Sequence, residues 1–189
     1  MKMVPQNGIK TLLATHQIIP VVTIQHESEI TGVLDKLKTH SINIIEVTLR
    51  TPYALTAIEY LKNNAPDLVV GAGTVIHTSQ IEALKALHVD FIVSPGGSER
   101  LFDHFEQSGI PFLPGASTPS EIIRCTERGY DLLKFFPADL FGGINALKTY
   151  SQVFSGINFC PTGGITKETY RDYLELPNVQ SVGGSWMMK

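Results

Sequence analysis

Lys134 is the residue whose sequence neighbours most strongly suggest chemistry. It lies in the run Leu132 to Pro137, between large apolar residues that predict a buried strand. Burying an ammonium group is costly unless the charge is paired, so a buried lysine tends to be neutral and can act as a nucleophile. The alternative is a lysine whose aliphatic stem is buried while its amine reaches solvent at the strand end.

A second charge in an apolar strand is Glu46, which follows Ile44 and Ile45 and precedes Val47. A glutamate is rarely buried without a partner, so Glu46 is either half of a structural ion pair or a catalytic acid and base. Arg50 follows in the next loop, where its guanidinium group could neutralise Glu46 or hold a carboxylate or phosphate ligand.

Two segments that combine glycine with threonine or serine predict a phosphate site. Glycine lets backbone N–H groups surround a phosphate, and the hydroxyl groups add donors. Loops after the seventh and eighth strands are the recurrent phosphate position in barrels, although each segment could also be a plain turn. The segments are Cys160 to Ile165 and Val182 to Ser185.

Metal ligation has little support in the sequence. Of the six histidines only His77 falls near the predicted site, and no His, Asp and Glu set recurs with ligand spacing. A reaction that needs a carbanion would therefore use the lysine as its electron sink, through an imine, while Glu46 moves protons. We expect neither a metal nor a cofactor.

The elements that position these residues alternate between apolar strands and amphipathic helices, with strand centres roughly 20 to 25 residues apart. The pattern predicts strands at 18–24, 43–47, 68–71, 91–93, 111–113, 132–136, 157–160 and 179–182. It predicts helices at 9–16, 28–39, 52–63, 79–87, 99–107, 119–128, 143–154 and 167–174.

Eight such units predict an α/β protein, a (β/α)8 TIM barrel formed as one domain over residues 1–189, with an open doubly wound sheet as the alternative. Glycines follow five or more predicted strands, and in a barrel those loops share one rim, which would bring Lys134 and Glu46 to one substrate. A short helix precedes the first strand, and no eighth outer helix follows the last. The seam would be covered by that first helix or by a neighbouring subunit, or the sequence is a shortened barrel.

Composition favours a small-molecule partner. The chain has 43% apolar and 17% charged residues with a net charge of -3, and it lacks a basic cluster that would favour nucleic acid or an anionic membrane. Cys125 and Cys160 are isolated, which is typical of reduced cytoplasmic proteins. Residues 1–9 lack a signal-peptide core, and we see no membrane span, so we expect a cytoplasmic protein.

Seven segments, in register from about Ile18 to Trp186, carry a family resemblance. They are Glu46-Val-Thr-Leu-Arg50-Thr, Gly71-Ala-Gly-Thr74-Val, Ser94-Pro95-Gly96, Pro114-Gly-Ala-Ser-Thr118, Lys134-Phe-Phe-Pro-Ala, Pro161-Thr-Gly-Gly-Ile165 and Gly183-Gly-Ser-Trp186. They closely resemble the 2-dehydro-3-deoxy-6-phosphogluconate (KDPG) aldolases, also called 4-hydroxy-2-oxoglutarate (KHG) aldolases. These are class I enzymes of the Entner–Doudoroff route.

The resemblance implies a homotrimeric barrel that splits KDPG into pyruvate and glyceraldehyde 3-phosphate without a metal, and KHG into pyruvate and glyoxylate. Lys134 would form the imine with the keto carbon, and Glu46 would be the general acid and base. Arg50 and Thr74 would hold the pyruvate carboxylate. The other implied site residues are the phosphate ligands Thr162, Gly163, Gly164, Gly184 and Ser185 and the pocket walls Pro95 and Phe136.

The sequence departs from the family pattern in two places. The chain ends soon after Trp186, where family members continue into a final helix, and the loop Asp139 to Phe141 is bulkier and more apolar than expected, which could alter the preferred aldehyde. Two alternatives remain open: a metal-dependent sugar phosphate epimerase or lyase, and a phosphate-binding barrel without turnover. The sequence does not decide among gluconate-type, galactonate-type and unphosphorylated substrates.

Overall fold

A computed structural model describes residues 6–188 of the chain, in which eight strands alternate with eight α-helices. Lys189 and most of the segment at residues 1–9, where the sequence predicts no signal peptide, lie outside the described residues. The strands are β1 Ile18–Val22, β2 Ile44–Thr48, β3 Val69–Gly73, β4 Phe91–Val93, β5 Phe112–Leu113, β6 Leu132–Phe135, β7 Asn158–Pro161 and β8 Val182–Gly184. The helices are α1 Asn7–Ala14, α2 Ile30–Thr39, α3 Ala54–Asn64, α4 Thr78–Ala86, α5 Glu99–Ser108, α6 Pro119–Glu127, α7 Gly143–Val153 and α8 Tyr170–Leu174.

All the strand pairings are parallel. Six strands form one sheet in the order β5-β4-β3-β2-β1-β8, and β6 pairs with β7 in a second sheet. Single bridges connect Gly115 with Lys134 and Thr162 with Gly183, and so link the β6–β7 pair to the six-stranded sheet at both of its edges. The predicted α/β class with alternating parallel strands and helices is confirmed.

Helix starts and faces follow from the sequence. On α2 the apolar side chains Ile30, Val33, Leu34 and Leu37 recur at helical spacing, and all four are buried against the sheet. Helix α6 is preceded by the N-cap residue Thr118, whose hydroxyl accepts the N–H of Glu121 in a capping box, the arrangement that this residue pair favours.

A second buried cluster fills the inner side of the strands. It joins side chains from six strands with Ile9 and Leu13 of α1. The helix is anchored beside β6 by Gln6, which is fully buried and whose amide nitrogen donates to Leu132 O at 2.8 Å. Helix α1 therefore packs on the strands, and the predicted short helix before the first strand is confirmed.

The predicted ends of three strands are wrong by two residues: β1 ends at Val22 and not at residue 24, and β3 and β8 extend further than predicted. The sequence suggested strands at 68–71 and 179–182 with glycines in the loops beyond, whereas β3 includes Gly71 and Gly73 and β8 consists of Val182, Gly183 and Gly184. A parallel ladder uses only backbone groups, so glycine can pair where a neighbouring side chain needs the space above it. The ring of Phe91 occupies that space at Gly71.

Beyond β8, the described residues contain only a short 3-10 turn, Trp186–Met188. Its last carbonyl accepts a hydrogen bond from Lys36 of α2 at 2.9 Å. Between residues 6 and 188, the helices are all too short or too polar to cross a membrane.

Candidate active site

Lys134 of β6 and Glu46 of β2 form a buried pair. The Lys134 amine donates to Glu46 Oε1 at 3.1 Å, and the two side chains are 5% and 4% exposed. The amine also lies 5.3 Å from the ring centroid of Phe136, close enough for a cation–π contact. The alternative in which Lys134 reaches solvent is therefore wrong, and Glu46 has the partner that a buried carboxylate requires.

Glycines on β3 provide the room for this pair. Strands β2 and β3 pair with Glu46 opposite Gly71 and Thr48 opposite Gly73. A Cβ atom on Gly73 would lie 2.0 Å from Glu46 Oε1 and 2.7 Å from its Cγ atom, distances that real Cβ atoms do not tolerate. The Glu46 side chain can therefore lie across β3 and point toward Lys134 because Gly73 has no side chain.

Arg50 and Thr74 also come together, as the resemblance implied. Arg50 Nε donates to Thr74 Oγ1 at 3.0 Å. Thr74 has a φ of 58°, a left-handed conformation that is costly for a β-branched residue and that clusters at functional sites. Its hydroxyl is thus held beside a guanidinium group that suits a carboxylate.

A cavity of about 350 Å³ opens beside the Lys134 amine. This volume lies within the range typical of small-molecule sites. Eight of the eleven predicted site residues line the cavity. They are Arg50, Lys134, Phe136, Thr162, Gly163, Gly164, Gly184 and Ser185. Glu46 and Thr74 adjoin it through their hydrogen bonds to Lys134 and Arg50.

The glycine segment after β7, which the sequence predicts as part of a phosphate site, has a left-handed backbone at both glycines. Gly163 and Gly164 have φ values of 99° and 71°, in the region that favours glycine over residues with a side chain. A Cβ atom on Gly164 would lie 2.3 Å from Cγ of Asp139, so the loop after β6 packs directly on it. In that loop Leu140 and Phe141 are 79% and 45% exposed and do not line the cavity.

The structure does not bring Pro95 to the cavity wall. Its backbone instead packs against Gly115, where a Cβ atom would lie 2.2 Å from the Pro95 carbonyl carbon. Three lining residues were missed: Val21 and Thr23 at the end of the first strand, and Ile165. Alternation along the predicted strand at 18–24 placed Thr23 on the same side as Val21, but only the structure shows that this side meets the cavity.

The groups considered for metal binding do not converge. Among residues 6–188 there is no group of three His, Cys, Asp or Glu side chains that could hold a metal ion. The backbone N–H of His77 donates to Gln80 Oε1 at 2.9 Å, at the start of α4.

Both cysteines are free and buried. Cys160 lies opposite Lys134 in the β6–β7 pairing. Burial raises the pKa of the Cys160 thiol to about 11, so at neutral pH it is a protonated, weakly nucleophilic group next to the amine.

Comparisons with known proteins agree with this geometry. The family model described as KDPG and KHG aldolase matches residues 9–189. The chain is 41% identical to a 2-dehydro-3-deoxy-phosphogluconate aldolase of Pseudomonas aeruginosa over 95% of this chain and 82% of that protein. It is 37% identical to the KHG/KDPG aldolase of Escherichia coli K12 over 97% of this chain and 86% of that protein.

A solved structure extends the similarity to three dimensions. The KDPG aldolase of Legionella pneumophila, captured with pyruvate as a covalent carbinolamine intermediate, superposes with a TM-score of 0.89 and 42% identity. The alignment covers 98% of this chain and 88% of that protein. By its family match, its relatives and its fold, this chain belongs to the KDPG and KHG aldolases.

Proposed function

We propose that this chain is a class I aldolase that cleaves KDPG to pyruvate and glyceraldehyde 3-phosphate through an imine on Lys134. The observation that carries the proposal is the buried amine and carboxylate 3.1 Å apart, with the amine on the wall of a cavity. The relatives that match over most of the chain are named KDPG aldolases, and the Legionella pneumophila enzyme was captured with pyruvate bound covalently.

The reaction follows from these groups. The Lys134 amine attacks the C2 carbonyl of KDPG, and loss of water gives an imine. Glu46 accepts the proton of the C4 hydroxyl as the C3–C4 bond breaks, and the electron pair of that bond passes to C3 and the imine nitrogen as an enamine. Glyceraldehyde 3-phosphate leaves, Glu46 returns the proton to C3, and water releases pyruvate from Lys134.

The two ends of the substrate have separate binding groups in this proposal. Arg50 and Thr74 hold the carboxylate, and their hydrogen bond at 3.0 Å supports a shared role. The glycines after β7 and β8, with Thr162 and Ser185, hold the phosphate by backbone N–H and hydroxyl donors. Phe136 contacts the amine, and Pro95 stays a predicted wall residue without a cavity contact to support it.

Cleavage of KHG to pyruvate and glyoxylate is the second activity that we propose. The Escherichia coli relative carries both substrates in its name. KHG shares the carboxylate, keto group and C4 hydroxyl of KDPG, so the groups that we assign to Lys134, Glu46 and Arg50 serve both. It lacks the phosphate, so the glycine segments contribute less to its binding.

We also infer a closed (β/α)8 barrel. Lys134 N donates to Pro114 O at 2.8 Å, and Ala116 N donates to Lys134 O at 2.9 Å, so β6 continues the ladder beyond β5. The bridge between Thr162 and Gly183 supports the other seam. A single ring places the carboxyl ends of β2 and β6 over one site, as the reaction requires.

The homotrimer and the cytoplasmic location implied by the resemblance stay proposals. Exposed apolar side chains, including Leu140 and Val153 at 79% and 64%, could be covered in an assembly, and free buried cysteines agree with a reducing compartment. Equilibrium sedimentation should give three times the mass of the 20.8 kDa chain, whereas a monomer mass at micromolar concentration would refute the trimer.

Borohydride reduction in the presence of pyruvate tests the proposed chemistry. We expect a pyruvyl adduct on the peptide that contains Lys134, and none after Lys134→Met. Glu46→Gln should retain the adduct while kcat for KDPG falls about 100-fold or more, because proton transfer is lost. Activity that disappears with a chelator, without any trapped adduct, would contradict the proposal and favour the metal-dependent alternative.

A further inference from the structure

We propose that Thr23 recognises the C5 hydroxyl of the phosphorylated substrate, and that Thr48 orients the Thr23 hydroxyl. This inference rests on the proposed aldolase function. Thr23 directly follows β1 and lines the same cavity as Lys134 and Arg50. Of the two cavity residues from this part of the chain, Val21 is apolar and Thr23 is polar.

The Thr23 hydroxyl is held in place by Thr48 on the neighbouring strand β2. Strands β1 and β2 pair with Val21 opposite Glu46, so two residues further along Thr23 comes opposite Thr48. Their hydroxyl oxygens are 2.7 Å apart, and Thr48 is fully buried. A threonine hydroxyl has one donor and two acceptor sites, so after bonding Thr48 the Thr23 oxygen can still bond a ligand.

The strand order places Thr23 beside the middle of the substrate. Strand β1 lies between β8, which is followed by Ser185, and β2, which is followed by Arg50. If the phosphate lies at Ser185 and the carboxylate at Arg50, the carbons between them pass β1. The amine of Lys134 reaches the substrate from β6, which is not a neighbour of β1.

Chemistry then selects the C5 hydroxyl. Carbon C2 must lie at the Lys134 amine, and the C4 hydroxyl must face the carboxylate that takes its proton, Glu46. The C5 hydroxyl is the remaining polar group between C4 and the phosphate. A hydroxyl on the cavity wall at β1 is suited to pair with it, and a site built to bond a hydroxyl rejects an analogue that lacks one.

Two substrates and two variants test this pairing. The substrates are KDPG and its 5-deoxy analogue, which keeps the carboxylate, keto group, C4 hydroxyl and phosphate. Thr23→Val preserves the shape of the side chain but removes its hydroxyl, and Thr23→Ser keeps the hydroxyl. We expect Thr23→Val to lower kcat/KM about tenfold for KDPG and to leave that for the 5-deoxy analogue nearly unchanged, as for the loss of one hydrogen bond.

The conservative variants sharpen the result. Thr23→Ser should restore most of the preference for KDPG, and Thr48→Val should reduce the same preference in part, because the Thr23 hydroxyl loses its anchor. Trapping of pyruvate on Lys134 should stay at the parental rate in Thr23→Val, since pyruvate has no C5 group. A purely structural Thr23–Thr48 pair would change stability without changing the ratio of the two substrates.

The outcomes separate the two proposals. An equal loss on both substrates, or no loss on either, in a Thr23→Val protein that still traps pyruvate would overturn the role of Thr23 and leave the aldolase intact. A parent protein that neither traps pyruvate nor cleaves KDPG would overturn the aldolase function and this inference with it.

Discussion

At the scale of single residues, the position of the Glu46 carboxylate depends on the absence of a side chain at Gly73. The Glu46 carboxylate reaches Lys134 across the bare backbone of Gly73, and the thiol of Cys160 stays protonated beside the amine because burial raises its pKa to about 11. The amine therefore lies against one carboxylate and one aromatic face, that of Phe136, and both charged side chains are almost fully buried. Such a setting favours a single, defined proton acceptor.

Gly73→Ala tests whether the missing Cβ positions Glu46. The new methyl group would occupy the space of the carboxylate, so we expect kcat for KDPG to fall about 100-fold, as for loss of a general base, with KM affected much less. Steady-state kinetics with circular dichroism as a folding check measures this. The double variant Glu46→Gln with Gly73→Ala should have a kcat for KDPG only slightly below that of either single variant, because both changes remove the same general base.

Gly32→Ala is the matched control. A Cβ atom on Gly32, in α2, would meet no atom within 4 Å, and alanine is the better helix former by about 1 kcal/mol. This variant should keep parental kinetics and gain stability. If Gly73→Ala behaved like Gly32→Ala, the positioning role of Gly73 would be refuted.

At the scale of strands, glycines again make room for side chains of neighbouring segments. Strands β3 and β8 contain glycines that pair by backbone alone and leave space for the side chains of Glu46 on β2, Phe91 on β4, or Thr162, which follows β7. At β5 and β6 the short strand Phe112–Leu113 is continued by the bridge from Gly115 to Lys134. This bridge supports Lys134 from the side opposite to β7.

Amide hydrogen exchange tests the seam between β5 and β6. If the strands close into a ring, the amide protons of Lys134 and Ala116, which bond Pro114 O and Lys134 O, should exchange as slowly as that of Asp90, which bonds Val70 O within the six-stranded sheet. Two-dimensional NMR after transfer to D₂O gives these rates. Exchange of the first two amides on the timescale of exposed loops would show an open seam.

At the scale of the molecule, the segment around α1 ties the start of the chain to β6. The Gln6 amide bonds Leu132 O, Leu132 N and Asp131 N at 2.8 to 3.0 Å, and Lys10 bonds Asp131 at 2.6 Å. Since β6 carries Lys134, this segment supports the strand from the end opposite the cavity.

Gln6→Ala should destabilise the protein by about 2 kcal/mol or more, because it leaves buried backbone groups of β6 without partners. Urea unfolding measures the change. Lys10→Ala removes a half-exposed ion pair on the same segment and should cost less than about 1 kcal/mol. Equal effects of the two variants would contradict the special contribution of Gln6.

Much of this molecule is readable from local sequence. Apolar periodicity predicted the alternation of strands and helices, and the apolar neighbours of Lys134 and Glu46 singled out both residues, because burial of a strand is encoded in its own residues. The motifs were sufficient to identify the family, which the comparisons confirm. The roles of the individual site residues stay predictions.

Other features depended on contacts between distant segments. The pairing of Glu46 with Lys134 joins residues 88 positions apart, and the inclusion of Gly73 in a strand, the cavity position of Thr23 and the distance of Pro95 from the cavity all depend on how strands align. Strand register and the space left by a missing side chain are properties of neighbouring strands together, and no single stretch of sequence contains them.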